Sequence, residues 1–297
     1  MPVKQQILNL MIRTPILGGP VREMKLRRSY PVEWALLNKR HSTSSTHTSI
    51  FHFSVNKAAT QYVKSLLDRA GSENGLTPVN LNGYSFNSNL PYIDGMSPEQ
   101  LHEYEYLFQD QGYVYSVFGG AIQGLPMMDR CRVVLMMRDP RDVLTSMYYS
   151  SAYSHPVPSV TGNKRDAFVK NRARSLEIGV DQFVLENAER ERGIYQRYID
   201  TLMRDLPSLY VTRFEDMTAD YDAWLDALLD YCGFEISTEL REALCNEAAK
   251  IRPSKENIHA HIRKGQPGDY LEKLKPETIT QLNEILGTEV LEKFGYA

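Results

Sequence analysis

The chain has 297 residues, 42% of them hydrophobic and 24% charged, enough apolar material for one large α/β domain. Its net charge of −3 gives no ground for nucleic-acid binding, and no run of about eighteen apolar residues offers a membrane-spanning helix. Three scattered cysteines, Cys131, Cys232 and Cys245, form neither a disulfide framework nor a CxxC metal pair, which suits a reducing cytoplasm.

Residues 1–48 read as a basic lead-in to a domain over 49–297. Eight Lys or Arg within the first forty residues face only Glu23 and Glu33, a balance of +6, leaving about −9 for the rest. Such an arm suits an anionic membrane surface or an acidic partner, or simply a solvated arm packed loosely on the body. Ile7 to Ile12 is apolar but Arg13 breaks it, so no signal peptide is expected. Gly18-Gly-Pro20 interrupts the lead-in, and the polar stretch from His41 to Thr48 links it to the first strand.

Residues 49–55 form an apolar run with β-branched and aromatic members, which predicts a buried strand. Val63, Leu66, Leu67 and Ala70 recur at helical spacing, with Gly71 placed to end the helix. Between them lie Asn56, Lys57, Ala58, Ala59 and Thr60. A tight strand-to-helix turn aims unpaired N–H groups outward at the positive helix end, an anion site by construction. Lys57 adds a mobile charge and Thr60 a hydroxyl, while the small Ala58 and Ala59 allow close approach. The glycines of a Walker A loop are missing.

Residues 72–100, rich in Asn, Gly, Pro and Ser, predict a long irregular connection. Ser97-Pro-Glu-Gln predicts a capped helix running to about Asp110. Tyr113–Phe118 alternates like a strand, and Arg132–Met137 is continuously apolar, as a central parallel strand should be. A helix follows with Val143, Leu144, Met147 and Tyr148; residues 154–165 read as loop; a long helix spans about 179–204, with Glu186 and Arg190 one turn apart. Leu209–Thr212 is a further strand, and the helix around Trp224 closes at Gly233. This alternation implies a parallel sheet with right-handed crossovers.

Three stretches stand out together: the turn at 56–60; Arg138-Asp-Pro-Arg-Asp142 with Ser146 eight residues after Arg138; and Arg263-Lys-Gly-Gln-Pro-Gly-Asp-Tyr270. In this order they resemble the PAPS-dependent sulfotransferase family over roughly residues 49–297. The resemblance implies an α/β three-layer sandwich with a central parallel sheet and a P-loop-like strand–loop–helix. It implies PAPS (3′-phosphoadenosine 5′-phosphosulfate) as donor and no metal. Asn56 to Gln61 would hold the 5′-phosphosulfate. Arg138, Ser146, Arg263, Lys264 and Gly265 would hold the 3′-phosphate, and Tyr62 and Phe214 would flank the adenine. Lys57 would stabilise the charge developing on the bridging oxygen.

The pattern departs from the family at several positions. Ala58-Ala59 replaces Ser-Gly, Gln61 replaces a Thr, and Tyr270 replaces a Trp. Ser116 falls where cytosolic members carry a His, so Asp94 and His155 are the candidate bases for the acceptor hydroxyl or amine. Asp220-Tyr-Asp222 has the DxD form of metal-using enzymes but reads as a helix cap. The acceptor, a carbohydrate or small molecule, would meet Asn82, Tyr84, Asn87, Tyr92, Tyr104 and Tyr106. Two other functions fit the same residues: a P-loop-like nucleotide kinase and a non-catalytic nucleotide-binding module.

Overall fold

Architecture is taken from a computed structural model, which describes residues 18–40, 43–157, 163–251, 255–260 and 263–297. In chain order the elements are α1 (Gly18–Ser29), α2 (Pro31–Leu37), β1 (Ile50–Ser54), α3 (Thr60–Glu73), β2 (Thr77–Val79), α4 (Leu81–Asn87), α5 (Pro98–His102), β3 (Tyr113–Phe118), β4 (Arg132–Met137), α6 (Pro140–Tyr149) and α7 (Asn163–Tyr198). Then come β5 (Tyr210–Arg213), α8 (Phe214–Ala219), α9 (Tyr221–Cys232), α10 (Thr238–Lys250), α11 (Asp269–Lys273), α12 (Pro276–Leu286) and α13 (Thr288–Lys293).

The five strands form one parallel sheet in the order β2-β3-β1-β4-β5. β1 is buried along its whole length, as a middle strand covered on both faces must be. Alternate residues face opposite sides. Phe51 and Phe53 stack with Tyr115, Phe108 and Phe118 on one face. On the other, α3 buries Val63, Leu66, Leu67 and Ala70, each Val or Leu contributing about 1.5–3 kcal/mol.

The order of the strands positions the site. From β1 the chain crosses to β2 on one side, and from β4 it crosses to β5 on the other. The loops leaving β1 and β4 therefore diverge and open a crevice between neighbouring strand ends, the usual ligand position in such sheets.

Several expectations are corrected. Gly71 does not end α3, which continues to Glu73; it is a contact glycine, since a Cβ there would lie 2.5 Å from Val114 Cγ2. Gly71→Ala is expected to destabilise the fold by about 1–3 kcal/mol, read as a lower Tm, although alanine favours helix. The connection at 72–100 contains the edge strand β2 and helix α4, the latter capped by Asn80. Ser97 and Gln100 form a capping box, but α5 stops at His102 rather than near Asp110. Helix α7 begins at Asn163 and kinks at Gly179 (φ 73°, ψ 176°). Glu186 there pairs with Arg174 across the kink (2.9 Å), not with Arg190. Gly233 closes α9 in the left-handed conformation, and Asp220 caps it by accepting from Ala223 N.

The lead-in is fastened rather than loose over its described part. Gly18–Pro20 forms the first turn of α1, where proline removes no helix hydrogen bond. Arg27 and Arg40 lie over Trp34, Lys39 lies over Tyr106, and Arg22 donates to Asn87 O. Leu36 and Glu33 are buried, and Glu33 accepts from Asn80 N. Residues 1–17, His41 and Ser42 fall outside the described residues.

Candidate active site

The turn after β1 has an unusual backbone. Lys57 (φ 65°) and Ala59 (φ 55°, the N-cap of α3) are left-handed without being glycine. That conformation costs a non-glycine residue about 1–2 kcal/mol. In return the turn points its amides outward. Among the described residues, the N–H groups of residues 57–61 find no protein acceptor. Ala58 is fully buried beneath them, and the Thr60 hydroxyl ties back to Val55 O (3.0 Å) and Ser54 Oγ (2.9 Å). Thr60 therefore anchors the loop to its strand and is not the free donor that its position in the sequence predicts. Ala59→Gly is expected to stabilise the fold by up to about 1 kcal/mol, read as a higher Tm, relief of the left-handed strain exceeding the extra chain entropy.

Arg138 leaves β4 beside this turn. Its Nη1 donates to Lys57 O (2.8 Å) and its Nη2 to Gln266 O (3.3 Å), so one guanidinium joins the β1 loop to the C-terminal loop. Nη2 lies 3.5 Å from Asp142 Oδ2, and the guanidinium covers the Phe214 ring at 4.4 Å. Its Nε is buried with no partner among the described residues, a donor suited to an oxyanion. Asp139 does not pair with Arg138. It caps α6 through Arg141 N and holds the Arg141 guanidinium.

In the C-terminal loop, Arg263 pairs with Glu256 and Asp269, and its guanidinium lies over Tyr149 at 4.2 Å. Lys264 pairs with Glu272 (2.6 Å) and Asp269 (3.3 Å). These cations are thus held by carboxylates and are not a solvated turn. Lys57 differs: burial, then Arg138 and Arg263, pull its ammonium pKa below the ordinary lysine value.

All three stretches open on one cavity of about 970 Å³, at the top of the ~300–1,000 Å³ range of small-molecule sites. Asn56, Lys57, Ala59, Thr60, Gln61 and Tyr62 line it, as do Arg138, Ser146 and Phe214 together with Arg263, Lys264 and Gly265. Of the residues expected to contact the donor, only Ala58 is away from the wall. The Tyr62 hydroxyl is fixed by Tyr221 Oη and Leu244 O, which sets its ring at the cavity edge.

His155 also lines the cavity, whereas Asp94 does not. The Asp94 carboxylate accepts from Gly119 N (2.7 Å), Gly120 N (3.0 Å) and Asn82 Nδ2 (2.8 Å), and so pins the end of β3. The residues expected to meet the acceptor are likewise elsewhere: Tyr84 and Tyr104 line a separate hollow beside α1, and Asn87 binds Tyr30. Their place in the cavity is taken by α7, through Asn171, Arg174, Glu186, Asn187 and Arg190. The one local sign of this was Gly179, whose kink turns both halves of α7 toward the cavity. Ser116 accepts or donates at His52 Nδ1 (2.8 Å), in a fully buried pair on the α3 face of the sheet. Burial lowers the His52 pKa to about 3, with a smaller effect from Lys64, so this imidazole is neutral.

Among the described residues, no three His, Cys, Asp or Glu side chains gather as a metal site, and no helix is long and apolar enough to cross a membrane. A parallel sheet with outward-facing amides in the turn after one strand and a buried arginine after its neighbour defines an α/β protein with a ligand crevice at its strand ends. Within that class, a model of the sulfotransferase domain matches residues 122–295, more than half of the chain, and the chain belongs to the sulfotransferase family. It is an enzyme of sulfuryl transfer. The match includes Arg138, Ser146 and the 263–270 loop; the β1 turn precedes it.

Solved structures with a similar course include mouse sulfotransferase SULT7A1 complexed with PAP, at 14% identity, 88% of this chain, 89% of that chain and a TM-score of 0.49. Retinol dehydratase in a complex with retinol and PAP is similar at 17% identity, 82% of this chain, 81% of that chain and a TM-score of 0.45. No curated protein matches the chain.

Proposed function

We propose that the protein moves the sulfuryl group of PAPS to a hydroxyl or amine of a carbohydrate or small-molecule acceptor. The observation that carries this reading is Arg138, which bridges Lys57 O and Gln266 O and so faces two anion-binding loops onto one cavity. A nucleoside phosphorylated at both ends of its ribose needs two such loops. The buried, unpartnered Arg138 Nε and the unaccepted amides of residues 57–61 are the donors it would satisfy.

In this reading Lys57 and the turn amides bind the 5′ end, Arg138, Ser146, Arg263, Lys264 and Gly265 bind the 3′-phosphate, and Tyr62 and Phe214 flank the base. PAPS supplies the activated sulfuryl group. Lys57 holds its proton on Nζ and opposes the charge that builds on the bridging oxygen. The acceptor lies between α6 and α7, where His155 takes its proton. Glu186 shares that wall, but its bonds to Arg174 and Gln182 lower its pKa and make it a weaker base. A reducing compartment fits Cys131, Cys232 and Cys245, three separate free thiols, and lies behind the proposed cytoplasmic setting.

Thermal shift and transfer assays test the reading. Adenosine 3′,5′-bisphosphate is expected to raise Tm, and ATP with magnesium to leave it unchanged; at 100-fold excess over Kd the gain is about 2.7 kcal/mol. Labelled sulfate from PAPS is expected on at least one member of a panel of sugars, phenols and amines. No shift with the bisphosphate would remove the donor assignment.

A further inference from the structure

Asp142 is a fully buried carboxylate on α6, and such a charge is costly unless it is compensated. Its own helix is already capped by Asp139. Instead it reaches a segment more than a hundred residues away. Oδ2 accepts from Gly268 N (2.8 Å) and Oδ1 from Tyr270 N (3.0 Å), and Arg138 Nη2 lies 3.5 Å from Oδ2. Gly268 is left-handed (φ +79°) and turns the chain so that both amides meet one carboxylate.

Between those amides sits Asp269, nearly unexposed, which holds Arg263 and Lys264. The same few residues secure the rest of the loop. Arg138 holds Gln266 O, and the Arg141 guanidinium lies over the Tyr270 ring at 4.4 Å. Among the described residues, the ties from the β4–α6 corner to the loop thus run through Arg138, Arg141 and Asp142, and Tyr149 at the far end of α6 adds its ring beneath Arg263.

We propose that Asp142 is a positioning residue that latches the 263–270 loop onto α6 and so sets selectivity for a 3′-phosphorylated nucleotide. It touches no nucleotide itself. It fixes where Arg263, Lys264 and Gly265 stand relative to Arg138, while the turn at 56–60 is tied to β1 through the Thr60 hydroxyl and meets this corner through the Arg138 Nη1 bond to Lys57 O. The inference rests on the donor reading above, and it predicts a loss confined to one end of the donor.

Asp142→Asn keeps the shape but offers one acceptor oxygen to two amides and turns an NH₂ group toward the other. Calorimetric titration of the variant is expected to show affinity for adenosine 3′,5′-bisphosphate down about 10- to 100-fold, equivalent to one unmet buried N–H. Affinity for adenosine 5′-monophosphate is expected to stay within about threefold, as is kcat at saturating donor. Equal losses for both nucleotides, or no loss, would overturn the latch. A wild-type protein that shows no preference for the bisphosphate would overturn the donor reading and the latch with it. Should the variant not fold, hydrogen exchange on the wild-type protein decides. Slow exchange at Gly268 and Tyr270 without nucleotide supports the latch, and exchange as fast as in an open peptide refutes it.

Discussion

Replacing Lys57 by alanine is expected to lower kcat by about 10²–10³-fold, equivalent to roughly 2.7–4 kcal/mol of transition-state stabilisation. The side chain lines the cavity rather than the core, so Tm should hold. Among the described residues Lys57 forms no ion pair, unlike Arg263 and Lys264, whose charge is shared with Asp269. Its ammonium is therefore available to a bound anion. The same site makes activity sensitive to alkali. Burial, Arg138 and Arg263 favour the neutral amine, so the folded pKa lies below the usual ~10.4. Activity that needs the cation is present below that depressed pKa and is lost as pH rises through it. A pH profile of kcat/KM, which reports groups of the free enzyme, should therefore fall before an ordinary lysine titrates. In Lys57→Arg, whose guanidinium keeps its proton, that limb should disappear. A Lys57→Ala enzyme with full kcat would remove the residue from the mechanism.

Arg138→Ala should do two things at once. It removes the guanidinium that joins Lys57 O to Gln266 O, so bisphosphate binding should fall by at least the 2–5 kcal/mol typical of a truncated buried charge partner. It also leaves Asp142, which has 0% exposure, without its cation, at a cost of about 3–5 kcal/mol in stability. Chemical denaturation measures the second effect and calorimetric titration the first. Arg138→Lys should rescue neither well, because an ammonium cannot fork to two carbonyls while covering the Phe214 ring. Adding Asp142→Asn to Arg138→Ala should cost less than the two changes separately, since the stranded charge is then gone. Strict additivity would mean that the pair does not act as a unit.

Legibility of the site followed the range of the interactions. The β1 turn, the Arg138 corner and the 263–270 loop were each visible because their chemistry lies within a few adjacent residues. The candidate base was less accessible. Asp94 and His155 were equal in the sequence, and only the folded chain shows one carboxylate consumed by Gly119 and Gly120 while the imidazole faces the cavity. Gly71 was misplaced for the same reason. Glycine signals a helix end locally, whereas here its missing Cβ is required by Val114 on another strand.

What the amino-acid order determined by itself is therefore the set of local devices: buried strands, caps such as Asp220 and Gly233, and a tight turn after β1 with outward-facing amides. These depend on periodicity, left-handed residues and helix ends, which span at most a turn or two of chain. The tertiary structure alone decided their assembly. It crossed β1 and β4 to opposite sides of the sheet, kinked α7 so that Glu186 and Asn187 reached the cavity, and buried Asp142 against amides from a remote loop. Those outcomes depend on which surfaces pack together, and no short window of sequence records that.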